Sequence, residues 1–359
     1  MNVEAVKIEA VKAEAVKAGA RNVEAATVEP SEFGKETVLS ARNLSTYYRT
    51  KRRVVKACEA VNLDLYRGEV YSLVGESACG KSTLGATLMN LVPDGTEVTG
   101  EIVFRGRNVL TLSKEELRRL RGTEIALIFQ DPMTRLDPLM TIEKHFVEAL
   151  QSHEPISRRE AALRGARALD AVGVPPSRLR DYPHQFSGGM RQRIMIALAL
   201  VFEPVLLVSD EATTSLDVVV QAQILHLMRS LKDRYGLAIL NITHDLGVVA
   251  EISDKVGVMY GGHVVEQGTA LEVFHRPAHP YTGGLLNSVV HMGTTQLSWI
   301  DGMPPDLGSP PPGCPYADRC DLESAECHRS FPPESRLSAT HRVHCHRVAA
   351  GLAQGRDAQ

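Results

Sequence analysis

The segment from position 75 to 82 has residue types and a spacing that suit phosphate binding. Its sequence, Gly-Glu-Ser-Ala-Cys-Gly-Lys-Ser, satisfies the pattern G-x-x-x-x-G-K-S, in which backbone amides and a helix N-terminus face the phosphates of a nucleotide. Lys81 would reach the β- and γ-phosphates, and the Ser82 hydroxyl would bind Mg²⁺. The residues predicted to contact the nucleotide in this segment are Gly75, Glu76, Ser77, Ala78, Cys79, Gly80, Lys81, Ser82 and Thr83.

Two adjacent carboxylates follow a second apolar segment. The sequence Val-Leu-Leu-Val-Ser precedes Asp210 and Glu211, so a buried strand would deliver both side chains to its C-terminal end, where open α/β sheets place their ligands. We predict that Asp210 holds Mg²⁺ through water. We predict that Glu211 is the general base that activates water for attack on the γ-phosphate.

A third motif, Ser187-Gly188-Gly189, combines a hydroxyl with glycine amides at the predicted start of a helix. Such a helix N-terminus suits an anionic γ-phosphate presented from outside. Gln130, in Ile-Phe-Gln-Asp-Pro, and His244, in Thr-His-Asp, are two further candidates. Taken singly, each of these two residues would more often be structural than catalytic.

In their order along the chain, these motifs resemble the ATP-binding-cassette (ABC) family. Gln130 matches the family's glutamine loop, His244 its switch histidine, and Ser215-Leu216-Asp217 the loop that crosses the interface between two ATPase subunits. The resemblance implies that Gln130 senses Mg²⁺ and water and couples to a membrane subunit, while His244 contacts the γ-phosphate. It also implies that Ser187, Gly188 and Gly189 close over ATP held by a partner.

Four segments, two of which surround Gln130 and the Ser187-Gly188-Gly189 motif, look like the ATP-binding subunits of dipeptide and oligopeptide (peptide/nickel) importers. They are residues 130–134, 182–193, 276–282 and 313–320, and the resemblance runs from about residue 37 to 346. It implies an ATPase on the cytoplasmic face of the cell membrane, peripheral to it. The implied partners are a similar but non-identical ATPase, two membrane permeases and, through the complex, an extracytoplasmic peptide-binding protein.

Other functions stay open at this point. A nickel-complex or other small-solute importer uses the same type of ATPase. An ABC ATPase that acts on nucleic acid or the ribosome is disfavoured, because only 56 residues separate Gln130 from Ser187, too few for a long coiled-coil arm, and the cassette is not duplicated. A non-catalytic regulatory or redox-sensing binder is disfavoured by the intact Lys81, Asp210 and Glu211.

Two positions depart from the family pattern, and the residue that stacks on adenine has two candidates. Ala78 replaces a usual glycine, which would cost roughly 1 kcal/mol if the backbone there needs a positive φ. Ala212 replaces the proline that commonly follows the catalytic glutamate. The aromatic residue that stacks on adenine is predicted to be Tyr47 or Tyr48.

Six cysteines are present, two in the body of the chain and four near its C-terminus. They are Cys58, Cys79, Cys314, Cys320, Cys327 and Cys345. No export signal is recognisable, so disulfides are not expected, and the C-terminal four are predicted to bind a metal. Intervals of five, six and seventeen residues do not distinguish zinc from an iron-sulfur cluster, and nearby histidines could compete as ligands. Resemblance to the importer subfamily favours a [4Fe–4S] cluster over zinc, with free structural thiols as the third alternative.

Short aliphatic segments alternate with helical patterns from Thr37 onward, which predicts an α/β domain with a largely parallel sheet. The family resemblance adds an antiparallel β part and a helical insertion to this P-loop ABC ATPase fold. The strand 70–74 would lead into the phosphate loop, and helices are predicted over 82–91, 142–151 and 158–172. Strands at 256–260 and 263–266 would form a hairpin, and the sheet is expected to end near Gly268.

The predicted domains are an extension at 1–35, an ATPase domain at 36–290 with its helical insertion at about 133–190, and a cysteine-containing region at 291–359. The extension contains the pentapeptides VEAVK, IEAVK and AEAVK, which favour helix without a fixed apolar face, so it is predicted to be disordered or a helical repeat.

The formal net charge of the whole chain, -3, argues against a broad surface for nucleic acid.

Overall fold

The computed structural model describes residues 36–51, 53–129, 135–213, 216–289 and 299–352. Predictions about the extension 1–35, Gln130 and Ser215 fall outside these ranges. Within the described ranges, no helix is both long and apolar enough to cross a membrane.

The strands of the described residues belong to two sheets. They are β1 (Thr37–Arg49), β2 (Val54–Tyr66), β3 (Val70–Val74), β4 (Glu97–Phe104), β5 (Arg107–Asn108), β6 (Ile125–Ile128), β7 (Leu206–Asp210), β8 (Ala238–Ile242), β9 (Lys255–Tyr260), β10 (His263–Thr269), β11 (Glu334–Arg336) and β12 (Arg342–His344). The central sheet has the order β11-β12-β10-β9-β3-β8-β7-β6, and the smaller sheet has the order β2-β1-β4-β5.

Strands β6, β7, β8, β3 and β9 are parallel neighbours and form the core of the central sheet. Every residue of β3 and β8 is buried, as expected for parallel strands covered on both faces. The smaller sheet is antiparallel, and an apolar cluster that includes Leu39, Leu63, Leu84 and Ile102 packs it against the central sheet. The predicted parallel core with an antiparallel part is confirmed.

The helices of the described residues lie between these strands in the chain, except for the last one, which follows β12. They are α1 (Lys81–Leu88), α2 (Lys114–Arg119), α3 (Ile142–Gln151), α4 (Arg158–Ala171), α5 (Gly188–Leu200), α6 (Val218–Tyr235), α7 (Leu246–Ile252), α8 (Ala270–His275), α9 (Pro280–Asn287) and α10 (His346–Ala349). The predicted helices over 142–151 and 158–172 are confirmed as α3 and α4. Each begins at a hydroxyl residue, because Thr141 and Ser157 accept hydrogen bonds from the amides of Lys144 and Glu160.

The C-terminal region extends the central sheet. Strand β12 pairs antiparallel with β10, with Glu266 opposite Val343, and β11 pairs with β12. The predicted hairpin of β9 and β10 is confirmed, with Gly261 and Gly262 in its turn at φ of 55° and 85°. The expectation that the sheet ends near Gly268 is wrong, because β11 and β12 add to it. The domain boundary near residue 290 stays a prediction.

Candidate ATP-binding site

The phosphate loop connects β3 to α1, and its first and sixth residues must be glycine for steric reasons. A Cβ on Gly75 would lie 2.1 Å from the carbonyl oxygen of Met259, and one on Gly80 would lie 2.1 Å from that of Ala57. Gly80 is also left-handed, at φ 111°, where it begins α1. The loop therefore lies directly against the backbone of two neighbouring strands, which fixes its path.

Ala78 adopts the left-handed conformation that the sequence analysis considered, at φ 63°. The condition for the predicted cost is met, so alanine at this position costs about 1 kcal/mol relative to glycine.

The Lys81 side chain is buried within the phosphate loop. Its Nζ atom donates hydrogen bonds to the carbonyl oxygens of Gly75 and Glu76, each at 2.8 Å. The residue is only 5% exposed. A positive charge is thereby held beside the loop amides, so that both could interact with the same phosphates.

Ser82 and Asp210 come together although they are far apart in the chain. Ser82 Oγ donates a hydrogen bond to Asp210 Oδ1 over 2.9 Å, joining the start of α1 to the end of β7. Burial raises the pKa of the Asp210 carboxyl, and the hydrogen bond from Ser82 lowers it in part. Hydroxyl and carboxylate oxygens are ligands that Mg²⁺ prefers, and a cation would offset the desolvation of the carboxylate. These two residues fit a magnesium site.

Glu211 and His244 form a second polar pair beside the first. His244 Nδ1 lies 3.1 Å from Glu211 Oε1, and the Glu211 side chain is 16% exposed. Glu211 itself is left-handed, at φ 49°, and its amide donates to the carbonyl oxygen of Ile242 in β8 at 2.8 Å. A non-glycine residue in this conformation carries strain, which is a feature found often at active sites. The two candidate catalytic side chains are thus adjacent.

The Ser187-Gly188-Gly189 motif begins α5. The Ser187 hydroxyl accepts a hydrogen bond from the amide of Met190 at 3.4 Å, so it caps this helix. A Cβ on Gly189 would lie 2.4 Å from Val220 Cγ1 of α6, whereas one on Gly188 would meet no described heavy atom within 4 Å. Gly189 therefore has a packing requirement in addition to any contact with phosphate, and the space beside Gly188 is open.

Two family models match the chain. The one described as "ABC transporter" matches residues 58–214, and the one described as "Oligopeptide/dipeptide transporter, C-terminal region" matches residues 265–327. The dipeptide transport ATP-binding protein DppD of Bacillus subtilis strain 168 is 46% identical over 316 residues, which cover 86% of this chain and 94% of the relative. The chain belongs to the ABC transporter family. It is an ABC-type ATPase.

Other members of the ABC transporter family show the same likeness. The oligopeptide transport ATP-binding protein OppD of Bacillus subtilis strain 168 is 44% identical over 313 residues, which cover 85% of this chain and 87% of the relative. A dimeric structure described as the post-hydrolysis state of the ATP-binding cassette MJ0796 bound to ADP and Pi has a TM-score of 0.58 and 26% identity, covering 64% of this chain and 98% of that one.

A further solved structure, cbiO1 from Clostridium perfringens, has a TM-score of 0.59 and 28% identity, covering 67% of this chain and 92% of that one. The predicted P-loop ABC ATPase fold is confirmed.

The two tyrosines considered for adenine stacking in this ABC cassette have different surroundings. Tyr48 donates a hydrogen bond to Thr83 Oγ1, next to the phosphate loop, at 3.3 Å. Tyr47 donates instead to Glu59, and Lys56 lies 5.4 Å from its ring centroid. Burial raises the pKa of Tyr47 to about 12. The contact with Thr83 favours Tyr48.

The prediction of an iron-sulfur cluster in the C-terminal cysteines is wrong. Among the described residues, which include all six cysteines, no group of three or more His, Cys, Asp or Glu side chains could hold a metal ion. The C-terminal thiols are free, and burial raises the pKa of Cys314 to about 12, so this group is a neutral thiol. The same finding leaves the zinc alternative without support. Cys314, Cys320, Cys327 and Cys345 instead line a common small cavity beside α9.

Sequence reasoning missed two residues, far along the chain from the phosphate loop, that contact it. Arg319 forms an ion pair with Glu76, at 2.8 Å, and Tyr281 contacts the backbone amide of the same residue. Arg319 follows Glu76 by 243 positions, so no local pattern could indicate this contact.

Proposed function

We propose that this chain hydrolyses ATP to power the import of dipeptides or oligopeptides through an ABC transporter. The observation that carries the proposal is the convergence of the Ser82–Asp210 and Glu211–His244 pairs beside the phosphate loop. The peptide class is supported by relatives that are described as dipeptide and oligopeptide transport ATP-binding proteins and by the family match over residues 265–327.

The proposed roles combine this geometry with the family resemblance. The loop amides and Lys81 would bind the phosphates of ATP, and Ser82 and Asp210, with Gln130, would hold Mg²⁺. When bound, Mg²⁺ would neutralise charge on the β- and γ-phosphate oxygens. Glu211 accepts a proton from water as the water oxygen attacks the γ-phosphorus and the bond to ADP breaks. His244 orients the Glu211 carboxylate and contacts the γ-phosphate.

We propose that the chain works as one of two ATPase subunits. Ser187, Gly188 and Gly189 would bind the γ-phosphate of ATP held by a similar, non-identical partner, and the open space beside Gly188 leaves room for it. The ATPase pair would dock on two membrane permeases at the cytoplasmic face of the membrane. An extracytoplasmic binding protein would deliver the peptide.

A transport experiment tests the peptide proposal. We expect the chain to co-purify with its permeases and, in liposomes with the cognate binding protein, to hydrolyse ATP faster when a peptide is supplied. Stimulation by a nickel complex but not by peptides would contradict the peptide assignment. Co-purification with RNA in place of permeases would contradict a role in transport.

We propose Tyr48 as the residue that stacks on adenine. Replacing Tyr48 with Ala should raise the KM for ATP about fivefold or more, because stacking on an aromatic side chain contributes about 1–3 kcal/mol per base. Tyr47→Ala is the matched control, since it removes the neighbouring ring, and it should leave the KM for ATP unchanged. A larger KM increase in Tyr47→Ala than in Tyr48→Ala, measured by steady-state hydrolysis, would reverse the assignment.

A further inference from the structure

Each donor of the Arg319 guanidinium, in the C-terminal region, has a hydrogen-bond acceptor. One of its partners, Glu76, belongs to the phosphate loop. The guanidinium donates two parallel bonds to the Glu76 carboxylate, at 2.8 and 3.0 Å, and one to the Tyr260 hydroxyl at 2.9 Å. The remaining bonds go to the carbonyl oxygens of Asp301 and Ile300, at 2.7 and 3.2 Å. All five donors of an arginine are thereby used. A lysine could not reproduce this planar fork.

Glu76 is the second residue of the phosphate loop, and it is held at three points. Its carboxylate is bound by Arg319, and its backbone amide donates to the Tyr281 hydroxyl at 2.9 Å. Its carbonyl oxygen accepts from Lys81 at 2.8 Å. Two of these three contacts come from chain that follows the ATPase motifs, and only the contact with Lys81 belongs to the loop itself.

The groups that hold Glu76 are themselves rigidly placed. The rings of Tyr260, Tyr281 and Tyr316 pack on one another with centroids 4.4, 5.2 and 5.4 Å apart. All three are at most 5% exposed, and the Arg319 side chain is 6% exposed. Because closely packed side chains lose contacts when they move, this cluster resists displacement. The C-terminal region therefore fixes the position of the loop by direct contact.

We propose that Arg319 is a positioning residue for ATP binding, which holds Glu76 so that the phosphate loop keeps the shape that receives the phosphates. Tyr281 assists it through the amide of the same residue. The inference rests on the proposed function, because it assigns to the C-terminal region a part in the ATP site of this chain. A loop that already has its binding conformation loses little conformational entropy when ATP binds. The affinity for ATP is therefore higher.

Replacement of Arg319 with Met in the full-length chain tests the proposal, because Met fills space without charge or donors. Affinity for a fluorescent trinitrophenyl-ATP is measured with and without Mg²⁺, below the melting temperature of each variant. We expect Arg319→Met to weaken binding about fivefold or more, the lower range of typical coupling between sites. Arg319→Lys should restore only part of the affinity.

Glu76→Gln and Tyr281→Phe remove the other partners and still test the proposal if Arg319→Met does not fold. Each should weaken binding. The double variant of Arg319→Met and Glu76→Gln should bind the analogue at least as tightly as the single variant with the lower affinity, because both changes break the same contact. Arg336→Met is the control, since Arg336 lies in the same region with a 69% exposed side chain paired with Glu334, and it should leave the affinity unchanged.

Two outcomes would count against the proposal, and they differ from each other. Folded Arg319→Met, Glu76→Gln and Tyr281→Phe variants that bind the analogue as tightly as the wild type would overturn the positioning role alone and leave the contacts purely structural. A wild-type chain that does not bind the analogue would overturn the proposed function and this role together.

Discussion

Replacement of Glu211 with Gln is expected to lower ATP hydrolysis by about 10²- to 10⁴-fold, the range of general-base catalysis, while ATP binding persists. Gln has the same shape as Glu and can still hydrogen-bond to His244, which lies 3.1 Å from the carboxylate, but it cannot accept a proton from water. The measurements are steady-state hydrolysis by the assembled transporter and equilibrium binding of ATP to the same variant.

Glu326→Gln is a matched control for this experiment. It makes the same chemical change at an exposed position in the C-terminal region, so hydrolysis should stay at the wild-type rate. Unchanged turnover of Glu211→Gln in the assembled transporter would refute the assignment of Glu211 as the base. Loss of ATP binding together with hydrolysis would instead show that the Glu211 carboxylate has a structural role in a residue whose backbone is strained, at φ 49°.

Much of the ATPase fold could be predicted because its information is local. The buried strands β3 and β8 are apolar apart from Ser72 and Asn241, and the helices α3 and α4 begin at the hydroxyl caps Thr141 and Ser157. In the same way, the phosphate loop and the acidic pair are each short segments at the end of an apolar strand. Their meeting at Ser82 and Asp210 follows from the parallel sheet, which brings strand ends to one edge.

The C-terminal region could not be predicted in this way, because its order depends on distant contacts. Strands β11 and β12 have only three residues each, Glu-Ser-Arg and Arg-Val-His, without an apolar segment. They form because β10 provides an edge for pairing. The sequence likewise shows four cysteines near the C-terminus but not how their side chains are arranged. The structure places them around a cavity, and no group among the described residues is arranged to hold a metal.

Glu266 connects these two parts of the molecule. Its carboxylate accepts hydrogen bonds from the amides of Ala278 and His279, at 2.8 and 2.9 Å, and lies 2.7 Å from His341 Nε2. The first two contacts fix the start of α9, which carries Tyr281, and the third fixes the segment before β12. One buried side chain of β10 therefore anchors α9, which contacts the phosphate loop through Tyr281, and the segment that leads into β12.

Replacement of Glu266 with Ala is expected to lower the free energy of unfolding by about 3 kcal/mol or more, because each buried donor left without its acceptor costs about 1–3 kcal/mol. The Glu266 side chain is 0% exposed and that of His341 is 4% exposed, so water cannot replace the lost carboxylate without opening the packing. Two amides and an imidazole would lose their partner at once. Denaturant unfolding of the full-length chain, without nucleotide, measures the change.

Glu334→Ala is the control for this measurement, because it removes a carboxylate of the same region whose partner Arg336 has a 69% exposed side chain. Exposed ion pairs contribute about 0–1 kcal/mol, so Glu334→Ala should stay close to wild type. Glu266→Gln should fall between the two, since its carbonyl oxygen still accepts a hydrogen bond but its amide nitrogen would face a donor. If Glu266→Ala unfolded no more easily than Glu334→Ala, Glu266 would not be the anchor, and docking of the C-terminal region would depend on its other contacts, such as the bonds of Arg319 and the packing of Tyr260, Tyr281 and Tyr316.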